Sequence, residues 1–178
     1  GIEHVIVAGT CLEYGVSGGN LSEILPVKPK NEYALAKYAL YESLRIMANK
    51  DGFELSWLRL FYIFGGDQPS ITIYGSMMEH IIRGKTTFNM SSGQQVRDYL
   101  HIDTVCQMIL AVVMSKKGFD VVNICSGQGL TLEKHVRGWL HDISPKINLS
   151  LNLAALPDRK DEPFILWGSS HKFDSLLN

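Results

Sequence analysis

Val5-Ile6-Val7-Ala8, followed at once by Gly9-Thr10-Cys11, is the stretch that decides the fold. Four apolar residues without alternation, closed by small ones, read as a strand buried on both faces, the mark of a parallel sheet. Thr10 then places a hydroxyl at the strand's carboxyl end, the edge where open α/β sheets hold their ligands. Parallel neighbours come from crossover units, yet only Gly1-Ile2-Glu3-His4 precede this strand. It therefore reads as part of the later portion of a larger sheet.

Downstream, Glu13-Tyr14-Gly15 leads into a Gly18-Gly19-Asn20 loop. Those glycines do not make a dinucleotide fingerprint, which should open a helix directly; Pro26 and Pro29 follow instead. Asn31 is placed as a helix N-cap with Glu32 near the positive helix end. Ala36, Leu40, Leu44, Met47 and Ala48 recur at helical spacing until Asp51-Gly52 stops the helix. Phe53 to Phe64 reads as a second buried strand, ending at Gly65-Gly66. Strand, helix and strand make a βαβ unit.

On that helix Tyr33 and Lys37 stand four positions apart, hence one above the other on one face. An ammonium beside a phenol favours the phenolate and can bring its pKa down from about 10. Such a tyrosine can exchange a proton with a carbon-oxygen group. Spacing alone also fits a solvated lysine one turn from a half-buried tyrosine.

With 178 residues, 46% of them hydrophobic, the chain can bury one ordinary core. A formal net charge of -1 gives no basis for a nucleic acid or an anionic membrane as partner. No apolar run has membrane-spanning length, and no signal-peptide pattern opens the chain. Cys11, Cys106 and Cys125 are an odd number in apolar or small-residue settings, which predicts reduced, buried thiols and a cytoplasmic protein. No Cys or His pair has ligand spacing, so no metal is predicted.

Beyond Pro69 the pattern predicts a helix over 74–83, a short strand over 86–90 and a turn at Ser91-Ser92-Gly93. An extended stretch follows over 95–102, then a helix capped by Asp103 and running to Val113. A strand over 121–125, a helix over 132–140 and an edge strand over 147–153 complete the pattern. Residues 1–67 read as regular α/β and 68–178 mainly as a smaller mixed lobe, some of it returning to the first sheet, with a cleft expected at the seam.

Several separated pieces line up in order: Thr10 with Glu13-Tyr14-Gly15, Tyr33 with Lys37, and Leu58-Arg59-Leu60-Phe61-Tyr62-Ile63-Phe64-Gly65. Gln95-Val96-Arg97-Asp98-Tyr99-Leu100-His101-Ile102-Asp103, Asn123-Ile124-Cys125-Ser126-Gly127 and Leu156-Pro157-Asp158-Arg159 follow. Together they resemble the extended short-chain dehydrogenase/reductases, in particular the nucleotide-sugar epimerase/dehydratase family, over essentially the whole chain. The fold implied is the C-terminal part of a Rossmann-like doubly wound parallel sheet plus a mixed α/β substrate lobe. The family's glycine-rich first half has no counterpart here, so the chain alone is expected to hold a dinucleotide poorly and to be inactive by itself.

The resemblance implies NAD or NADP as cofactor and a nucleoside-diphosphate sugar as substrate. It makes Thr10 the residue on the reacting sugar oxygen, Tyr33 the acid/base, and Lys37 the lysine on the nicotinamide ribose. Leu60, Phe61 and Ile63 would line the nicotinamide. Cys11 and Tyr62 would face the sugar, while Arg97, Arg159 and Glu162 would grip the diphosphate and a ribose; a guanidinium fork suits phosphate oxygens. Without the resemblance, Arg97 reads first as an ordinary ion pair with Asp98 or Asp103. Tyr62 stands where the family usually has asparagine, so that contact must change. Cys11 and Leu12 replace the Asp-Glu pair of the dehydratases, which disfavours water elimination. An NAD(P)-dependent epimerase or 4-ketoreductase of a (deoxy)sugar nucleotide is the expected activity. A non-catalytic nucleotide-sugar-binding module is the alternative, and the resemblance also allows a homodimer.

Overall fold

The computed structural model describes residues 1–15, 18–115, 118, 120–159 and 163–175. Strand β1 (His4–Thr10) ends in a 3-10 turn, Cys11–Tyr14, before β2 (Asn20–Leu21) and the long helix α1 (Glu32–Asp51). Next come β3 (Glu54–Leu60), β4 (Tyr62–Phe64), α2 (Ile73–Ile82), β5 (Thr87–Asn89), β6 (Val96–Arg97) and β7 (Tyr99–His101). The rest is α3 (Ile102–Ser115), β8 (Asp120–Ile124), β9 (Leu130–Thr131), α4 (Leu132–Ile143), β10 (Ser150–Asn152), β11 (Ile165–Gly168) and α5 (His171–Asp174).

β3 lies between β1 and β8 in a parallel sheet, with Val5 opposite Leu55, Thr10 opposite Leu60 and Leu58 opposite Val122. Being central and flanked on both faces, β3 buries Leu55, Ser56, Trp57, Leu58 and Arg59 alike. On one face Leu58, Val122 and Ile124 pack with Val105, Met108 and Val112 of α3. On the other, Leu55, Trp57 and Val121 pack with Tyr41 and Ala48 of α1. Helices on opposite faces of a parallel sheet make the fold α/β and doubly wound. Each apolar side chain fully buried this way contributes about 1.5–3 kcal/mol before entropy is counted.

The second layer is smaller and mixed. It joins β4 to β7, β5 to β10, and β2, β11, β6 and β9 in that order; among the described residues only β6–β9 is antiparallel. Its core holds Met77, Phe88, Met90, Leu132, Val136, Trp139 and Leu149.

Five expectations need correction. The apolar stripe of α1 is not Ala36–Leu40–Met47, which are exposed; Ala34, Tyr41 and Ala48 face the sheet, with Tyr38 and Leu44 partly buried. Tyr41 can go inside because its hydroxyl donates to Asp120 at 2.6 Å. The expected strand over 53–64 is two strands in different sheets: Phe61 N–H donates to Ile124 O of β8, whereas Tyr62 N–H turns to Asp98 O. The extended stretch over 95–102 breaks likewise at Asp98, between β6 and β7. Helix α3 starts at Ile102, so Asp103 sits in its first turn instead of capping it. Cys106 is exposed on α3, unlike the buried Cys11 and Cys125; all three are free thiols.

The caps of α1 are as expected. Asn31 Oδ1 accepts from Ala34 N–H at 2.8 Å, and Gly52 closes the helix at φ 75°, a conformation that suits glycine. No helix among the described residues is long and apolar enough to cross a membrane.

His135 on α4 is 9% exposed and sits 3.0 Å from the Arg97 carbonyl, so Nε2 must carry the proton it donates. Burial lowers its pKa, against the opposing pull of that hydrogen bond and of Asp98. As pH falls through the ordinary histidine value of about 6.5, the unfolded chain takes up the proton while the folded chain resists. Stability is therefore full above that pH and is lost as pH falls below it. Denaturant midpoints should drop between about pH 7 and pH 5, and His135→Gln should flatten that slope; an unchanged slope would contradict the assignment.

Candidate active site

Thr10 ends β1 and caps the 3-10 turn. Its Oγ1 accepts from Leu12 N–H at 3.3 Å, while Thr10 N–H donates to Glu13 Oε1 at 2.9 Å, a reciprocal capping box. A hydroxyl that accepts a backbone proton still keeps its own proton to donate. Beneath it, Glu13 is fully buried. Its carboxylate also accepts from Trp57 Nε1 at 3.0 and 3.1 Å and pairs with Arg59 Nε at 2.9 Å. Arg59 stacks its guanidinium on Tyr14 at 4.4 Å, and Tyr14 donates to Asn123 Oδ1 at 2.8 Å. The turn carrying Thr10 is thus bonded to all three strands of the parallel sheet.

Tyr33 lies in the first turn of α1 and is 55% exposed. Lys37 Nζ donates to Ala8 O of β1 at 2.8 Å and stands 5.9 Å from the Tyr33 ring centroid. The ammonium is therefore tied to the strand that ends in Thr10. Cys11 is 4% exposed, and burial pushes its thiol up to about 12, so it stays protonated and is a poor proton donor.

A cleft of about 420 Å³ opens in the second layer. Tyr62, Ile63, Arg97 and Arg159 line it, together with Phe88, Asn89 and Tyr74. It brings together four of the residues singled out in the sequence; Thr10, Tyr33 and Lys37 lie apart from it, on the β1 rim. Leu60 packs toward α3, whereas Phe61, 5% exposed, is in a core cluster with Cys11, Tyr14 and Leu166. Arg97 is 1% exposed; its Nη1 donates to Val96 O and Phe164 O and its Nη2 to Gln95 Oε1. The neighbouring Asp98 carboxylate accepts backbone N–H groups from Ser126, Gly127 and Gly168. Arg159 offers its carbonyl to Gln95 Nε2 at 3.4 Å. Glu162 lies outside the described residues.

The sequence reading missed Glu13, Arg59 and Asp98 as builders of the site. A signal existed for the first, because Thr10-Cys11-Leu12-Glu13 is a capping-box spacing. None existed for the ion pair, whose partners are far apart in sequence. Glu13→Gln should destabilise the fold by about 3–5 kcal/mol by leaving the Arg59 charge buried and uncompensated. Chemical denaturation measures this, and a loss below about 1 kcal/mol would mean the pair is dispensable.

The model of the NAD dependent epimerase/dehydratase family matches residues 1–125. A dTDP-6-deoxy-L-talose 4-dehydrogenase (NAD(+)) of Aggregatibacter actinomycetemcomitans is 28% identical over 95% of this chain and 62% of its own length. A GDP-6-deoxy-D-talose 4-dehydrogenase of the same organism is 23% identical over 72% of this chain and 43% of its own length. The chain thus spans less than two thirds of each of these relatives. Among solved structures, UDP-glucuronic acid 4-epimerase of Bacillus cereus, in complex with UDP-glucuronic acid and NAD, superposes with TM-score 0.81 at 24% identity. That match covers 98% of this chain and 55% of the other. RMD from Pseudomonas aeruginosa, complexed with NADPH, gives TM-score 0.82 at 18% identity, covering 97% and 59%. Residues 1–125 carry the family pattern on the fold those neighbours share, and the chain belongs to the NAD dependent epimerase/dehydratase family.

Proposed function

We propose that these residues serve an NAD(P)-dependent 4-ketoreductase or epimerase of a nucleoside-diphosphate deoxysugar. The observation that carries the reading is the Thr10, Tyr33 and Lys37 rim, with Lys37 tied to Ala8 O beside the Tyr33 ring. A separate cleft in the second layer is lined by two arginines. Both named relatives above are 6-deoxytalose 4-dehydrogenases, which favours oxidation or reduction at a sugar carbon over other chemistry.

The rim fits the nicotinamide-ribose end of such a cofactor. An exposed phenol and an ammonium stand at the carboxyl edge of a parallel sheet, where hydroxyl-bearing ligands bind. Tyr33 and Lys37 would hold that end. NAD or NADP, when bound, supplies the hydride donor or acceptor. Tyr33 would carry the matching proton to or from the sugar oxygen, and Thr10 Oγ1 would orient that oxygen. Lys37 would stabilise the phenolate by its charge. Arg97 and Arg159 would face the diphosphate.

Water elimination is disfavoured by the neighbourhood of Thr10. Cys11 holds its proton at neutral pH, Leu12 has none to give, and the nearby carboxylate of Glu13 is buried in its pair with Arg59. Free thiols suit a reducing compartment, the cytoplasm. A homodimer would use the outer side of α1, which exposes Leu35, Leu40, Ile46 and Met47.

The test follows nicotinamide absorbance with 4-keto-6-deoxy sugar nucleotides and the intact protein. Tyr33→Phe should lower kcat by about 10²–10⁴ and leave sugar-nucleotide affinity unchanged. Turnover near the wild-type rate in that variant would sink the assignment.

A further inference from the structure

Glu13 holds two segments of the rim at once, one with its side chain and one with its main chain. Its carboxylate is fully buried and accepts Thr10 N–H at 2.9 Å with Oε1. Trp57 Nε1 donates to both carboxylate oxygens, at 3.0 and 3.1 Å, and Arg59 Nε donates to Oε2 at 2.9 Å. Gly9 closes a further side, since a Cβ there would lie 2.8 Å from Oε1. The Glu13 carbonyl meanwhile accepts Lys28 N–H at 2.9 Å. Lys28 comes three residues before Asn31, the cap of α1, and Pro29 between them has a fixed φ. Tyr33 follows two residues after that cap.

The donor set explains why a carboxylate stands here. The Thr10 main chain, the Trp57 indole and the Arg59 guanidinium converge on its two oxygens. An ionised carboxylate offers acceptors alone and can serve all three. An amide would turn its NH2 toward one of these donors, so it fits only once one of them is removed. Held from several directions, the carboxylate cannot rotate, and Thr10 N–H is fixed with it. Thr10 is 7% exposed, which leaves little room for water to replace that bond. Its hydroxyl accepts Leu12 N–H from the same turn, so both its polar groups follow the geometry that Glu13 imposes.

We propose that Glu13 is a positioning residue, fixing the Thr10 hydroxyl relative to the helix that carries Tyr33. The proposal rests on the reading of Thr10 and Tyr33 as the groups at the reacting sugar oxygen. Glu13 is buried away from that oxygen and acts through the segments it joins.

Steady-state kinetics on the intact protein with 4-keto-6-deoxy sugar nucleotides, with kcat and KM read separately, test it. Glu13→Leu with Arg59→Met removes both charges together, which spares the fold an unpaired buried ion, and deletes the acceptor for Thr10 N–H. This pair should lower kcat about 10- to 100-fold and change KM by less than about threefold. Glu13→Gln with Arg59→Met restores an acceptor, the amide NH2 taking the side that Arg59 has left. It should bring kcat back to within about fivefold of wild type. Glu13→Asp keeps the charge but is one methylene too short to hold Thr10 and Arg59 together. It should lose about tenfold in kcat, and it serves where the leucine pair does not fold. In a Thr10→Ala background the leucine pair should cost less than about threefold, since the cycle isolates what passes through Thr10. Unchanged kcat in the leucine pair, a loss carried by KM, equal losses in the leucine and glutamine pairs, or a full loss persisting without Thr10 would each overturn the positioning role. If Thr10→Ala alone leaves kcat untouched, the reading of the rim fails, and this proposal with it.

Discussion

Asp98 is the residue on which the two layers depend. Wholly buried, it accepts Ser126 N–H at 2.8 Å with one carboxylate oxygen and Gly127 and Gly168 N–H at 3.1 and 3.3 Å with the other. Its own carbonyl accepts Tyr62 N–H at 3.1 Å. One residue thereby joins the turn after β8, the end of β11 and the start of β4. Burial pushes its carboxyl pKa up and the backbone donors pull against that shift, with burial prevailing. A carboxylate kept inside against that cost needs every donor it has, so the strands it touches cannot drift apart independently. The breaks between β3 and β4, and between β6 and β7, both fall at this junction.

A second buried charge does the same for the rim. Glu13 holds the turn after β1 to Trp57 and Arg59 of β3, and the Arg59–Tyr14–Asn123 chain carries the connection on to β8. Gly9 is required there, because a Cβ would meet Trp57 Nε1 at 2.2 Å. Thr10 is positioned by this network and not by its own hydrogen bond alone. Such an ion pair gains little stability over a hydrophobic substitute. Its consequence here is geometric: the Thr10 hydroxyl leaves the sheet in one direction.

Local patterns made the first layer legible. Continuous apolar runs marked β1, β3 and β8, and Asn31 and Gly52 marked the ends of α1. What stayed hidden was set by partners distant in the chain. Nothing near Tyr41 announces Asp120, which lets a tyrosine take the inward place that helical spacing offered to Leu40 and Met47. Nothing near Phe61 announces that the next N–H will change partner from Ile124 to Asp98. The site divided in the same way. Thr10, Tyr33 and Lys37 could be picked out as residue types at strand and helix ends, whereas Glu13, Arg59 and Asp98 act through contacts that no local spacing encodes. The assignment of roles to Arg97 and Arg159 came from family resemblance, since their composition and spacing allow ordinary ion pairs.

The rim and the cleft are joined by one short stretch of backbone. Thr10 pairs with Leu60 in the parallel register, and Tyr62, in the cleft wall, lies two residues further on. Between them the chain changes sheets, Phe61 N–H going to Ile124 O and Tyr62 N–H to Asp98 O. The position of the cleft wall relative to the strand beside Thr10 is therefore set at a single turning point. Because both acceptors belong to buried residues, that turn cannot shift without leaving a backbone donor unpaired inside, a cost of about 1–3 kcal/mol.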